Sequence, residues 1–407
     1  MIKILLFSTL YPSATRPIHG IFVETRLREL LKSGEVSAKV IAPVPWFPFS
    51  SEFWGEYGRF ARTPLKEVRD GIEIYHPRYP LLPKVGMNMA PWSLALCAWP
   101  ILQGLRRDGF DFDLIDAHYY YPDGVAAALL ANWSDRPFVV TARGTDLNLI
   151  PNYPRPRARI LKTAEQAAAS IGVCSALMQT LEQLGADPAK LHTLRNGVDL
   201  EKFCPKDRGE ARRRLGLSVS GRYLLSVGHL IPRKGHDIAI AALSGMPSDV
   251  NLLIAGEGPE RAALQRQAES LGLAERVRFL GMVPQADLTW WYSAADQLVL
   301  CSDREGWANV LLEAMACGTP VIASNIWGTP EVVSSPAAGV LMPERSREGL
   351  ISAWHTLQAA LPDRQAIRSH AERFSWDATT QGQLSLFRAV CRSPRTAING
   401  SDHTQLS

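Results

Sequence analysis

Short apolar, β-rich runs alternate with amphipathic helical stretches along most of this chain. In the first half the strand-like runs are Ile2–Leu10, Ala38–Val44, Ile72–His76, Asp113–His118, Phe138–Ala142 and Ser170–Cys174. Helical periodicity occupies Ile21–Leu31, Asp123–Trp133 and Arg157–Ala169 between several of them. The alternation then starts again. Strands are predicted at Tyr223–Val227, Leu252–Ala255, Val277–Phe279, Gln297–Cys301 and Val321–Ala323. Helices are predicted at His236–Leu243, Glu260–Leu271, Ala286–Ala294, Asn309–Ala316 and Arg347–Ala360. Strands that are apolar throughout are buried on both faces, and helices between them imply parallel sheets. The pattern predicts an α/β protein of two Rossmann-like, doubly wound domains facing a cleft. Ligands in such folds sit beyond the carboxyl ends of the strands. The first domain is expected over residues 1–200 and the second over 201–375, joined near Phe203, Pro205 and Lys206. A helix over 376–390 is expected to cross back to the first domain. Residues 393–407 are polar and aperiodic, and read as a flexible tail.

Two stretches break the alternation. Pro45 to Arg69 carries Trp46, Phe47, Phe49, Phe53, Trp54, Tyr57 and Phe60 in what reads as a long irregular loop over the cleft edge. Loops of that length usually do something or move. Met87 to Leu105 is apolar and Trp-rich but interrupted by Pro91 and Pro100. It reads either as a packed, Pro-interrupted helix pair, or as a shallow membrane contact or acyl-chain groove, because Trp92 and Trp99 suit an interface. No run of about 20 apolar residues is present to span a bilayer. The N-terminal apolar run stops at Tyr11 and Pro12, and reads as a first strand rather than a signal peptide.

Composition narrows the classes. Hydrophobic residues make up 46% and charged residues 21%, a balance that supports packed domains rather than extended disorder. A net charge of +4 is too mild for a nucleic-acid binder of this size. One local basic run, Arg155, Arg157, Arg159 and Lys162, is either a solvated helix start or a landing site for an anionic head group. The six cysteines form no CxxC pair and read as reduced, buried small hydrophobes of a cytoplasmic protein.

The strongest chemical signal is Glu305-Gly-Trp-Ala-Asn-Val-Leu-Leu-Glu313, which follows a strand and enters a helix. Glu305 lies in the loop at the strand's carboxyl end, Asn309 near the helix start and Glu313 one turn further. The backbone N–H groups of Gly306, Trp307, Ala308 and Asn309 can hold an anion. The two carboxylates can each accept a hydrogen bond from a hydroxyl, one on a sugar and one on a ribose. A Glu-x7-Glu spacing alone arises often by chance. Extended to Ser324, however, the segment closely resembles the retaining glycosyltransferases of family 4, which have the GT-B fold.

Other segments carry the same resemblance in order. Ser226 to Asp237 is similar to the family's donor diphosphate loop, which implies that Gly228 lets backbone approach a phosphate while Lys234 supplies charge. His229 stands where the family usually has Arg, so Arg233 is the candidate second cation. Leu253–Pro259, with Gly258, resembles the next strand and turn. Phe279–Val283 resembles the segment that cradles the base, with Met282 and Val283. Val310 belongs to the donor segment, and Arg195–Asp199 resembles the family's inter-domain element. On the acceptor side, Arg16–Glu24 resembles the first glycine loop, with His19 and Gly20. Arg143-Gly-Thr-Asp146 resembles the acceptor-side loop. The resemblance implies that His118 faces the donor sugar, and makes His118, Lys234 and Glu305 the catalytic candidates. It runs from Pro17 to about Phe387 and is weakest over residues 45–105. It implies a nucleotide-sugar substrate and a glycan or lipid-linked acceptor. The Trp-rich segment and the basic run point to an acceptor at the cytoplasmic face of a membrane. No His, Cys and Asp set has metal-ligand spacing, and no cofactor or metal is expected. The Asp111-Phe-Asp113 triplet precedes its strand, on the side away from the cleft, and reads as a turn. A nucleotide-sugar epimerase and a non-catalytic nucleotide- or carbohydrate-binding regulator remain as alternatives.

Overall fold

The structure, a computed structural model, describes residues 1–81 and 86–392. The expected tail, 393–407, lies outside the described residues. Two large sheets form. The first has eight strands, in the spatial order Leu191–Thr193, Ala169–Gly172, Phe138–Ala142, Leu114–His118, Ile2–Phe7, Val36–Ile41, Ile72–Tyr75 and Lys66–Arg69. All pair in parallel except the last, which is antiparallel. The second sheet is parallel throughout, in the order Val277–Gly281, Val250–Ala255, Arg222–Val227, Gln297–Leu300, Val321–Ser324 and Gly339–Met342. Its four central strands are almost wholly buried, as apolar runs without alternation require.

The strand orders position the chemistry. In each sheet the winding reverses beside the first strand, and the loops leaving two neighbouring strands diverge there to open a crevice. In the first sheet this point lies between Ile2–Phe7 and Leu114–His118, and sets Ser8–Gly20 beside His118. In the second it lies between Arg222–Val227 and Gln297–Leu300, and sets Gly228–Lys234 beside Cys301–Asn309. The helix Trp376–Arg392 lies along the helix Ile21–Lys32, with Leu384 and Phe387 fully buried in the core beneath Ile4, Val23 and Leu27.

Several expectations are corrected. Pro45 to Arg69 is not one irregular loop. It includes the helix Gly55–Arg62 and the edge strand Lys66–Arg69. The helix packs beside the loop before Gly20, where Thr63 Oγ1 lies 2.7 Å from Thr15 Oγ1 and Arg16 sits over the Phe60 ring. Met87 to Leu105 lies within a single helix, Gly86–Arg107, that contains Pro91 and Pro100. Its inner face, Leu94, Ala98 and Leu102, is fully buried, and this packing holds the helix where two N–H groups are missing. The helices Ser175–Gln183 and Arg208–Arg214 escaped the periodicity reading. All six cysteines are free, but only Cys174, Cys301 and Cys317 are buried.

Candidate functional site

On the second-domain side, the turn Pro232–Lys234 aims a lysine across to the next loop. Lys234 Nζ lies 2.6 Å from Glu305 Oε1, and the Ser302 hydroxyl donates to the same oxygen at 2.7 Å. Arg233 Nη1 donates to the Arg304 carbonyl at 2.9 Å and stands 3.8 Å from Glu305 Oε2. Burial alone would raise the Glu305 carboxyl. The Lys234 charge, with hydrogen bonds from Lys234 and Ser302, overcomes it and holds the group below its ordinary range. His229 is exposed on the same turn, outside this cluster. Gly228 lies along the Lys234 stem, and Gly258 lies against the Leu230 backbone that closes the turn.

Glu313 lies one turn into the helix Asn309–Ala316, which begins without a capping side chain. Tyr292 Oη donates to Glu313 Oε2 at 2.7 Å. Burial nevertheless pushes the Glu313 carboxyl up. Glu313 and Asn309 line a cavity of ≈ 260 Å³ whose other walls include Phe22 and Thr25 of the first domain, with Asp199 and Lys202 of the connecting segment. Lys202 Nζ donates to Gln285 Oε1 at 2.6 Å on its rim. Met282 is exposed beyond the strand Val277–Gly281, with Val283 half-buried next to it. Trp307 and Ala308 are buried, and Val310 packs against the core. The Trp307 ring meets Phe374 at 5.9 Å.

Backbone meets backbone where the domains touch. A Cβ on Gly306 would stand 1.9 Å from the Arg143 carbonyl oxygen. Only glycine permits this approach of the Glu305–Asn309 loop to the Arg143–Gly144 loop. Gly20 is constrained similarly. Its φ is +69°, and a Cβ there would lie 2.3 Å from the Leu10 carbonyl. It opens the helix Ile21–Lys32, whose first N–H groups have no side-chain cap. His19 Nε2 donates to the Thr9 carbonyl at 3.2 Å. Thr9 is pinned in turn by the buried Asp123, which accepts from its N–H at 2.6 Å and its hydroxyl at 2.9 Å.

Three sequence-predicted residues lie deeper than expected. His118 is fully buried at its strand's end instead of opening to the cleft, with Nδ1 accepting from Arg143 Nη2 at 2.5 Å and Nε2 donating to Asp116 Oδ2 at 3.3 Å. Burial, aided by Arg143, lowers its pKa to about 4, so the ring is neutral. Arg143 is turned inward, with Nη1 donating to Asn196 Oδ1 at 3.1 Å. Asp146 touches no cleft surface. Its carboxylate accepts backbone N–H groups from Tyr120 at 2.7 Å, Arg143 at 3.0 Å and Gly144 at 2.7 Å, and so shapes the loop. All three sit where strand ends enter the protein interior, which sequence order cannot distinguish from the cleft wall. Tyr292, Lys202, Asn196 and Asp123 were missed as site residues. Asn196 lay within the Arg195–Asp199 segment and Asp123 at the start of a predicted helix, whereas Tyr292 and Lys202 carried no local signal.

Among the described residues, no group of three or more His, Cys, Asp or Glu is arranged to hold a metal. Asp111 pairs with Arg106 and Arg136 at the amino end of its strand, away from the cleft.

Comparison with known proteins agrees with this geometry. Residues 207–373 match the family model described as Glycosyl transferases group 1, and residues 19–202 match that described as Glycosyltransferase Family 4. A D-inositol 3-phosphate glycosyltransferase of Jonesia denitrificans is 31% identical over 370 residues, covering 83% of this chain and 85% of that protein. A Bacillus subtilis glycosyltransferase named for teichuronic acid biosynthesis, TuaC, is 28% identical over 355 residues, covering 85% of this chain and 86% of that protein. The crystal structure of HepE from Anabaena in complex with UDP-glucose superposes with a TM-score of 0.73 at 21% identity, covering 96% of this chain and all of that one. Fold and sequence together define a glycosyltransferase of the GT-B class. The chain belongs to glycosyltransferase family 4.

Proposed function

We propose that this enzyme moves a sugar, with retention of anomeric configuration, from a nucleotide-diphosphate-sugar to a glycan or lipid-linked glycan in cell-surface polysaccharide or glycolipid synthesis. The observation that carries the donor assignment is the pairing of Lys234 and Arg233 with Glu305, together with Glu313, on the helix that follows, lining a cavity. Cations and uncapped N–H groups take up the charge of a departing diphosphate, and preorganised groups of this kind are often the largest catalytic contribution. In this reading Glu313 accepts from ribose hydroxyls and Glu305 from a hydroxyl of the donor sugar. The acceptor oxygen bonds to the anomeric carbon as the bond to the diphosphate breaks, and a leaving phosphate oxygen takes the acceptor proton on the same face. No protein base and no metal is needed. The UDP-glucose bound by HepE, a protein of the same fold, supports a nucleotide-sugar as donor.

The test is thermal stability with UDP, GDP or ADP, without and with magnesium. A ligand at about 100 times its Kd adds about 2.7 kcal/mol. One nucleotide is expected to stabilise the protein without metal. No response to all three removes the donor assignment.

We also propose that the acceptor is met at a membrane surface. The outer face of the helix Gly86–Arg107 exposes Met89, Trp92 and Leu96, and the 46–57 segment exposes Trp46, Phe49, Phe53 and Trp54. Ser93 Oγ donates to the Pro80 carbonyl and Trp46 N–H to the Tyr79 carbonyl, which places both on one side of the domain. Arg155, Arg157 and Lys162 are exposed on the neighbouring helix Pro154–Gln166, whose Arg159 donates to the Asn88 carbonyl. Among the described residues no helix is long and apolar enough to cross a membrane, so the contact is peripheral. The chain is expected to float with anionic liposomes, and the pair Trp92→Ser and Leu96→Ser to reduce this. Absence of flotation by the unaltered chain discards the surface.

A further inference from the structure

We infer that Gln383, on the helix that crosses back from the second domain, is a positioning residue for the donor loop. The inference rests on the donor-site reading above. The geometry is a continuous run of hydrogen bonds through six segments of the chain, largely buried. Arg26 Nε donates to Gln383 Oε1 at 3.0 Å. Gln383 Nε2 donates to Asp116 Oδ2 at 3.1 Å. His118 Nε2 donates to that same oxygen, and His118 Nδ1 accepts from Arg143. Arg143 reaches Asn196, whose Nδ2 donates to Asn309 Oδ1 at 3.3 Å at the start of the donor helix. Arg26, Asp116, His118 and Gln383 are each 1% exposed, so water does not compete over this part of the run.

The direction of every bond is fixed. A guanidinium can only donate. Arg26 therefore faces the Gln383 oxygen, which turns the amide N–H toward Asp116. Arg143 faces His118 Nδ1, which puts the ring proton on Nε2. Arg143 also faces the Asn196 oxygen, which turns that amide toward Asn309. Arg26 thus leaves Gln383 one orientation, Arg143 leaves His118 one tautomer, and Asp116 accepts from both. Arg143 is the output of this run. Its carbonyl packs on Gly306 and its side chain reaches Asn196, so a shift of Arg143 displaces the donor loop without touching Lys234 or Glu313.

Two substitutions separate positioning from simple stability. Gln383→Leu removes both bonds. We expect kcat to fall about 10- to 100-fold, as small misplacements of reacting groups do, with little change in donor KM. Gln383→Glu keeps an acceptor for Arg26 but replaces the amide donor with a second carboxyl. The titratable and charged groups along this run are Arg26 on the helix Ile21–Lys32, Asp116 and the neutral His118 on their strand, and Arg143 in the adjoining loop, itself beside Asp146. Protonated, the new carboxyl donates to Asp116; ionised, it repels Asp116. The kcat of Gln383→Glu should therefore approach the unaltered enzyme at low pH and decline as pH rises. A purely structural role predicts lower melting temperatures but an unaltered kcat–pH profile at a permissive temperature. If Gln383→Leu does not fold, the pH profile of Gln383→Glu decides. Unchanged kcat in the folded leucine variant, or an unshifted profile in the glutamate variant, overturns the inference. Lys234→Ala, assayed in parallel, tells this failure from failure of the donor-site reading: if it too is fully active, the donor site itself is misplaced.

Discussion

Lys234→Ala lowers kcat/KM for the donor by about 10²- to 10³-fold, equivalent to about 2.7–4 kcal/mol for one lost charge-stabilising group. The lysine does two things at once. It supplies a cation to the crevice, and it is the nearest counter-charge to Glu305, which is almost entirely buried. Arg233, at 3.8 Å, is too far to replace it fully. Steady-state kinetics at subsaturating donor read the first effect. The double variant Lys234→Ala with Glu305→Gln reads the second, because residues in contact are not additive and the pair should lose less than the sum of the single losses. Stability carries a sign as well. In the unaltered enzyme the Glu305 pKa is depressed. Its stabilising contribution is present above the unfolded carboxylate value and is lost as pH falls through the lower folded value. Without Lys234, burial dominates and raises the group, so the variant should lose stability as pH rises above the ordinary carboxylate range. Melting temperatures measured across that range check the reversal. Activity within twofold of the unaltered enzyme would contradict the site.

Gly306→Ala is the second large effect, and it has a different cause. The new methyl group has no room, because the Arg143 carbonyl oxygen lies 1.9 Å from its ideal position and Gly144 Cα 2.9 Å. Both neighbours are backbone and cannot rotate away. Forced overpacking costs about 1–3 kcal/mol when the surroundings must shift. Here the easiest shift is separation of the two loops at this backbone contact, which also loosens the Asn196–Asn309 bond beside it. The expected result is a fall in kcat of about 10- to 100-fold, each tenfold being about 1.4 kcal/mol in the barrier. Nucleotide binding should persist, since Lys234 and Glu313 both lie on the second domain. Comparing kcat with nucleotide-induced thermal stabilisation separates the two. An alanine variant with full kcat would mean that this backbone contact is absent during turnover.

Much of the site was legible because its spacing is local. Glu305 and Glu313 are fixed relative to each other by one turn and one helix, and Lys234 by a short turn after a strand. Local backbone rules place such groups with little help from the rest of the fold. His118, Arg143 and Asp146 were legible as residues at strand ends but not as buried ones. Whether a strand end opens to a crevice or turns inward depends on what packs above it. Here that is Asn196 and Gln383, brought from 53 and 240 residues beyond Arg143 (196 − 143 and 383 − 143), and sequence spacing does not report such distances.

The same division holds for the fold. The sequence by itself determined two sheets with parallel cores, since continuous apolar strands separated by amphipathic helices bury both faces in that way; the antiparallel edge strand Lys66–Arg69 was not foreseen. It determined the donor motif and, through glycine, where backbone must come close. Tertiary structure decided that Pro91 and Pro100 lie inside one helix, because a buried face can hold a helix that has lost two hydrogen bonds. It decided that the aromatic 45–69 segment forms a helix and an edge strand. It also decided the partners of every buried polar group, because a hydrogen bond is a short-range contact whose partners are chosen by packing and can lie anywhere along the chain.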